Sequence, residues 1–284
     1  MSHKSYDKKY GANLGDMPKN IDIKKDDDFD CDKLSAKRFF VKDAHIGKCL
    51  IDGDEHNHLA NVMRLKAGEE IILICDDEFD YFAKIVEIKK NQTLVDVYKK
   101  VENIANPKVH ITAFVAMNKR EQTSLMVRML SELGVSTYVP IITKWTLGQD
   151  ITDKMDRYQK IADQSVKQCR RSKTMKIEKP QKLDEVLKTF DEYDKVFFAY
   201  ENEATKKLDE NLLALDIKKT QQKNGQTKAQ SIAFIIGPVA GFDKDEAQKI
   251  EQSGAVSVSL GKRILRADTA TIMLASILSN YYLD

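Results

Sequence analysis

Apolar positions along the chain fall into two regimes. From Arg38-Phe39-Phe40-Val41 to about Asn106 they come in short runs broken by turns, the mark of strands. Ile71 to Cys75 is an unbroken apolar run, Asp76 to Asp80 is a turn, Tyr81 to Ile88 alternates imperfectly, and Thr93 to Tyr98 alternates cleanly. Leu59, Val62 and Met63 have helical spacing and interrupt the strands with one helical turn. Roughly six short strands in about seventy residues predict a small β-barrel over residues 37–105.

After Asn106-Pro107 strands alternate with helices. Strands are expected at Val109 to Ala116, Val135 to Ile142, Lys195 to Tyr200, Ser231 to Ile236 and Ala255 to Leu260. Helices are expected at Glu121 to Leu133, Asp153 to Arg171, Leu183 to Phe190, Asp243 to Gln252 and Ala267 to Tyr282. Leu125, Met126, Met129, Leu130 and Leu133 share one helical face, and Gly134 stands where a helix would stop. The alternation predicts an α/β domain with a mostly parallel sheet over residues 106–284.

Two segments stand outside this pattern. Residues 1–36 mix Lys, Asp, Asn and Gly with few large apolar side chains, so a flexible polar tail is expected there. A low-complexity polar stretch near 216–230 reads as a surface insertion.

Composition narrows the class without naming it. The 284 residues are 42% hydrophobic and 32% charged, which excludes collagen-like, disulfide-scaffold and wholly disordered chains. Cys31, Cys49, Cys75 and Cys169 form no CxxC pair, so reduced thiols, a cytoplasmic setting and no metal are expected. No apolar stretch approaches a membrane span, and no membrane association is expected. Net charge is only +2, so any nucleic-acid surface must come from the placement of charge.

The candidate chemistry lies in two glycine-bearing turns after apolar strands, Gly237 to Phe242 and Gly261 to Thr269. Ligands in open α/β sheets sit at the carboxyl ends of strands, and glycine there lets backbone approach them closely. Either turn alone could be an ordinary connection. Neither GxGxxG nor GxxxxGK[ST] occurs, which disfavours a doubly wound nucleotide-binding enzyme. The second turn places Lys262, Arg263 and Arg266 beside Ile264-Leu265, a pattern closer to a site than to a solvated loop.

In order and spacing, these segments resemble the 16S ribosomal RNA uracil-N3 methyltransferases of the SPOUT, or trefoil-knot, class. The resemblance runs from about Arg38 to the C-terminus. It rests on Arg38-Phe39-Phe40-Val41, on His58 with Val62-Met63-Arg64 and Gly68, and on Ser131 to Val135. Ala162 to Ser165, Ile236-Gly237-Pro238 and above all Leu260 to Ala270 complete it. The resemblance implies a PUA-like β-barrel for docking RNA, followed by a SPOUT α/β trefoil-knot domain that binds S-adenosylmethionine. It implies methylation of N3 of a uridine in the decoding region of 16S rRNA, or of the assembled small subunit, by a homodimer. The cofactor loops would be Ala199-Tyr200-Glu201, Gly237 to Phe242 and Leu260 to Leu265. Gly237, Gly241, Leu260 and Gly261 would contribute backbone groups, with Ala199, Tyr200, Ile264, Leu265 and Ala270 around them. Val239 and Ala240 stand where the family has a Glu and the first of two paired glycines. This departure leaves open a catalytically weak or silent rRNA-binding protein on the same scaffold. Asp268 stands where the family usually has Glu.

Uracil N3 is protonated at neutral pH, so transfer builds negative charge over N3 and its flanking oxygens, and a fixed cation is the expected device. Arg266 is the first candidate and Arg263 the second. Asp268 would orient Arg266 or take the proton, or else cap the following helix. Phosphate contacts are expected from Arg38, Arg64, Lys119, Arg120, Lys167, Arg170, Arg171 and Lys173. His56 and His58 lack a nearby third ligand, so no metal site is read from them. Trp145 stands alone after a strand and either packs or stacks on a base.

Overall fold

The structure, a computed structural model, describes residues 36–116, 120–146, 154–200, Leu208 and 230–281. The tail expected over 1–36, apart from its last residue, and the insertion up to residue 229 lie outside the described residues, as does Lys119.

Strands β1 (Lys37–Phe40), β2 (Gly47–Asp52), β3 (Glu70–Ile74), β4 (Phe79–Ile88) and β5 (Gln92–Glu102) form a five-stranded sheet in the order β1-β3-β4-β5-β2. The barrel-like sheet thus has five strands rather than about six. The alternation in β5 turns Thr93, Val95 and Val97 inward, onto Phe39, Ile71, Leu73, Tyr81, Ala83 and Ile85. Helix α1 (Gly53–Asn57) runs into a π-helical turn, His58–Val62. The wider turn, closed by Met63 N–H on the His58 carbonyl at 2.8 Å, breaks the expected common face. Leu59 is buried while Val62 turns out to solvent.

The second sheet contains β6 (His110–Ala116), β7 (Thr137–Ile142), β8 (Lys176–Ile177), β9 (Gln181–Lys182), β10 (Lys195–Ala199), β11 (Ser231–Ile236) and β12 (Val256–Val258). Its order is β12-β10-β11-β6-β7-β8, with β9 also on β7, and every pairing is parallel. Helices α2 (Arg120–Glu132), α3 (Met155–Gln168) and α6 (Ala267–Tyr281) bury Met126, Leu130, Tyr158, Ala162, Leu274 and Leu278 against one face. The short α4 (Leu183–Val186), a 3-10 turn at Leu187–Glu192 and α5 (Lys244–Gln252) cover the other face with Leu183, Val186, Phe190, Ala247 and Ile250. Continuous apolar strands such as β11 are what a parallel sheet covered on both faces requires. Gly134 ends α2 at φ 87°, with Val135 N–H returning to the Leu130 carbonyl at 3.0 Å. Asp243 and Glu246 close a capping box on α5.

The junction between the two sheets corrects the expected RNA surface. Arg38 is interior, and its guanidinium donates two 2.7 Å bonds to the Asp80 carboxylate. Asn103 donates to Asp80 and to the Arg170 carbonyl, both at 2.8 Å. Arg171 is also buried and donates to the carbonyls of Ser131 (2.8 Å), in the last turn of α2, and Val135 (3.2 Å), just beyond it. Lys167 pairs with Glu55 at 2.7 Å, and Lys173 pairs with Glu78. Of the basic cluster at 167–173, only Arg170 is exposed, at a left-handed φ of 67°. Of a cluster expected to meet phosphates, Lys173 instead holds the acidic Asp76-Asp77-Glu78 turn, to which Thr174 N–H also donates at 2.7 Å. Among the described residues no helix is long and apolar enough to cross a membrane, and no group of three His, Cys, Asp or Glu could hold a metal ion.

Candidate functional site

Because β10, β11 and β12 are parallel neighbours, the loops leaving their carboxyl ends meet at one edge of the sheet. There they enclose a cavity of about 260 Å³. The first loop contributes Ala199 and Tyr200, the second Gly237 to Val239 with Gly241 and Phe242, and the third Ser259 to Arg266. Ala267 and Ala270, from the first turn of α6, close one wall. Ala199, Tyr200, Gly237, Gly241, Leu260, Gly261, Ile264, Leu265 and Ala270 therefore line one cavity with Arg263 and Arg266, while Ala240 does not and Glu201 lies outside the described residues.

The walls differ in chemistry. Ile236, Val258, Leu260, Leu265 and Ala270 form an apolar lining, while Lys262, Arg263 and Arg266 stand exposed at the rim. Among the described residues no carboxylate lines the cavity. Val239 (79% exposed) and Ile264 (88%) are apolar lips held in solvent. Behind the first two loops stands an aromatic ladder. Tyr200 stacks on Phe198 at 5.0 Å between centroids, and Phe198 meets Phe242 edge-on at 5.4 Å. Sequence reading placed Phe242 at the end of the second loop and missed Phe198, which only its place at the end of an apolar strand could have marked.

The departures in the second loop carry little conformational cost. Gly241 takes the left-handed position at φ 75°, whereas Ala240 is absent from the positive-φ residues among those described. The left-handed penalty of about 1–2 kcal/mol for a residue with a β-carbon therefore does not arise at Ala240. Gly241 N–H is taken by the Pro238 carbonyl at 2.9 Å, so this glycine shapes the turn instead of offering its amide to a ligand. Gly261, at φ 107°, opens the third loop in a conformation that a side chain would strain.

The remaining candidates are scattered. Asp268 is in the first turn of α6 but lines a different groove, between α6 and α2, with Leu125, Met126, Met129, Ile272 and Met273. Its carboxylate accepts the Thr269 N–H at 2.8 Å, and the Arg266 carbonyl accepts from Ala270 N–H at 2.8 Å at the helix start. Arg64 is exposed on the barrel at φ 53°. Arg120 opens α2.

Comparison with known proteins agrees with this layout. Ribosomal RNA small subunit methyltransferase E of Buchnera aphidicola is 28% identical over 259 residues, covering 89% of this chain and 96% of the relative. The Aquifex aeolicus protein of the same name is 27% identical over 245 residues, covering 85% and 99%. The crystal structure of the Neisseria gonorrhoeae ribosomal RNA small subunit methyltransferase E, bound to S-adenosyl methionine, superposes with a TM-score of 0.74. It is 21% identical and covers 87% of this chain and 98% of that one. The expected architecture, a PUA-like β-barrel followed by a SPOUT-class α/β domain, is the one observed. A profile of the RNA methyltransferase PUA domain matches residues 51–98 and one of the RNA methyltransferase domain matches residues 105–279, so the chain belongs to the RNA methyltransferase family.

Proposed function

We propose that this chain transfers the methyl group of S-adenosylmethionine to N3 of a uridine in the decoding region of 16S rRNA, in the cytoplasm, the S–CH3 bond breaking as the N3–CH3 bond forms and the N3 proton passing to solvent water. The observation that carries the reading is the single cavity built by three strand-end loops, apolar within and bearing Lys262, Arg263 and Arg266 at its rim. The residues present suit the cofactor. Main chain at Gly237 and Gly261 approaches the cavity without side chains in the way, Leu260, Ile264 and Leu265 flank apolar parts, and the rim cations suit a carboxylate. When bound, the cofactor supplies an electrophilic methyl group on a sulfonium.

The chain's own task is then to align the base and stabilise the charge that builds on it. Arg266, at the mouth of the cavity and fixed by the start of α6, is our first choice for the cation facing the uracil oxygens; Arg263 is the second. Asp268 faces the α2–α6 groove, which favours a role at the helix start over orienting Arg266. Leu125 and Met273 are exposed in that apolar groove, and we propose that a second copy of the chain covers it, giving a homodimer. The same surface would then bring Asp268 to the subunit boundary.

The test is a map of N3-methyluridine in small-subunit rRNA from cells with and without the gene, with purified protein added back to unmodified subunits and to naked rRNA. Loss and restoration of one modified uridine is the expected result. A silent rRNA-binding protein, the reading suggested by Val239-Ala240, would bind the RNA and leave the map unchanged.

A further inference from the structure

The chain's one tryptophan is not explained by the core or by the cavity. Trp145 is 50% exposed on the turn that leaves β7. An exposed aromatic on a loose loop would signify little, but this turn is fastened at several points. Thr143 N–H donates to Thr146 Oγ1 at 2.7 Å, and Thr146 N–H donates to the Thr143 carbonyl at 3.1 Å. Lys144 N–H donates to Glu246 Oε1 at 2.7 Å, and Lys144 Nζ donates to Asp243 Oδ2 at 2.8 Å. Asp243 and Glu246 begin α5, immediately after the Gly237–Phe242 loop. The indole is thus carried on a turn tied to the segment that shapes the cavity.

Its position also follows from the sheet. All strands are parallel, so the end of β7 lies at the same edge as the ends of β10, β11 and β12. β7 stands two places from β11, through β6, which is roughly 10 Å at about 4.8 Å per strand. Lys144 Nζ lies 5.2 Å from the ring centroid, placing a cation beside the aromatic face. Lys144 is itself paired with Asp243, so its part is to hold the ring, and unpaired bases of single-stranded RNA stack on such fixed aromatic rings.

We propose that Trp145 stacks on an unpaired nucleobase of the RNA substrate, a near neighbour of the base that enters the cavity. The proposal rests on the RNA methyltransferase reading and adds to it a recognition residue outside the cofactor loops. Trp145 acts on binding, not on the transfer step.

A chain with one tryptophan reports on itself. Excited beyond the tyrosine band, wild-type emission should be quenched by a mixed-sequence, uridine-containing single-stranded oligoribonucleotide, and much less by the duplex of that sequence. In anisotropy with labelled RNA, Trp145→Ala should weaken binding about tenfold, within the range of one base–aromatic stack, while Trp145→Phe stays within about threefold. The salt dependence of binding should be the same in all three, because no phosphate contact is removed. Affinity for S-adenosylmethionine should also be the same, which separates a lost stack from a distorted cavity. Tight RNA binding without quenching, or wild-type affinity in Trp145→Ala, overturns the proposal and leaves the RNA reading intact. A change of sedimentation in Trp145→Ala with unchanged RNA affinity assigns the residue to a protein contact and also overturns it. Absence of RNA binding by the wild type overturns the proposal together with the reading on which it rests.

Discussion

Phe242 lies where a β-carbon on Gly237 would go: a methyl group there would sit 2.8 Å from Phe242 Cδ2 and 2.9 Å from Cε2. The ring also meets Phe198 edge-on, which limits how far it can retreat. Gly237 thus has no side chain because the aromatic ladder behind the cavity occupies the space. Gly237→Ala should displace the second loop at a cost of about 1–3 kcal/mol, typical of overpacking. S-adenosylmethionine affinity should fall on the order of tenfold or more in calorimetry, with the melting temperature lowered by several degrees. Gly237→Ala/Phe242→Leu should recover part of the loss, since the smaller side chain frees the space. Wild-type affinity in the single variant would remove the ladder from the account of the site.

The Arg38–Asp80 pair makes a prediction opposite to the one its sequence suggests. An arginine at an RNA surface would weaken binding when replaced and leave stability alone. With side chains only 3% and 9% exposed, this pair belongs to the fold. Asp80→Ala leaves a buried guanidinium without its counter-charge and should destabilise by roughly 3–5 kcal/mol. Arg38→Met/Asp80→Leu, apolar at both positions, should lie much closer to the wild type. Denaturant unfolding measures both. A destabilisation below about 1 kcal/mol in Asp80→Ala, the range of exposed pairs, would contradict the buried assignment.

These two cases show what was legible in the sequence. Periodicity located the long elements, because β5 alternates with period two and β11 is an unbroken apolar run, and missed β2, β8 and β9. Two glycine turns marked strand ends in the residues themselves, the first loop came only from the family resemblance, and parallel strands bring all three to one cavity. Charge partners were not legible. Lys167, Arg171 and Lys173 read as one basic surface, yet their partners are Glu55, carbonyls ending α2, and Glu78, separated from them by 36 to 112 residues along the chain. For Lys173 alone a signal was available, complementarity to the acidic Asp76-Asp77-Glu78 turn. The π-turn at His58–Val62 was hidden for a related reason, since one residue gained per turn changes which side chain faces inward without altering composition.

Arg266 stands at the point where the proposed chemistry is most exposed to test. If its guanidinium faces the uracil oxygens as charge builds there, Arg266→Ala removes an interaction made chiefly in the transition state. Such a loss lowers kcat and kcat/KM together. A fall of about 10²–10³ in rate is expected, the scale for one preorganised donor, with S-adenosylmethionine affinity within a few fold of wild type. Single-turnover methylation of unmodified small subunits measures the first and calorimetry the second. A variant with raised KM and intact kcat would place Arg266 in RNA binding instead.

The Lys144–Asp243 pair ties the Trp145 turn to α5, and its titration predicts over what pH range the turn is held. The side-chain hydrogen bond from Lys144, aided by the Asp245 N–H, holds the Asp243 carboxyl below the usual aspartate range. The hydrogen bond to Asp243 in turn holds the Lys144 ammonium above the usual lysine range. Between the lowered and the ordinary carboxyl pKa the folded state binds fewer protons than the unfolded one, so stability rises with pH across that window. The contribution is complete above the ordinary aspartate value and is lost as pH falls through the lowered one. For Lys144 the sense reverses: its contribution is lost only as pH climbs through the raised ammonium value. Trp145 emission should therefore be flat through neutrality and change at both extremes. Asp243→Asn, which removes the charge that Lys144 faces, should abolish the acid transition. A midpoint near neutral pH in the wild type would point to a histidine and contradict the assignment.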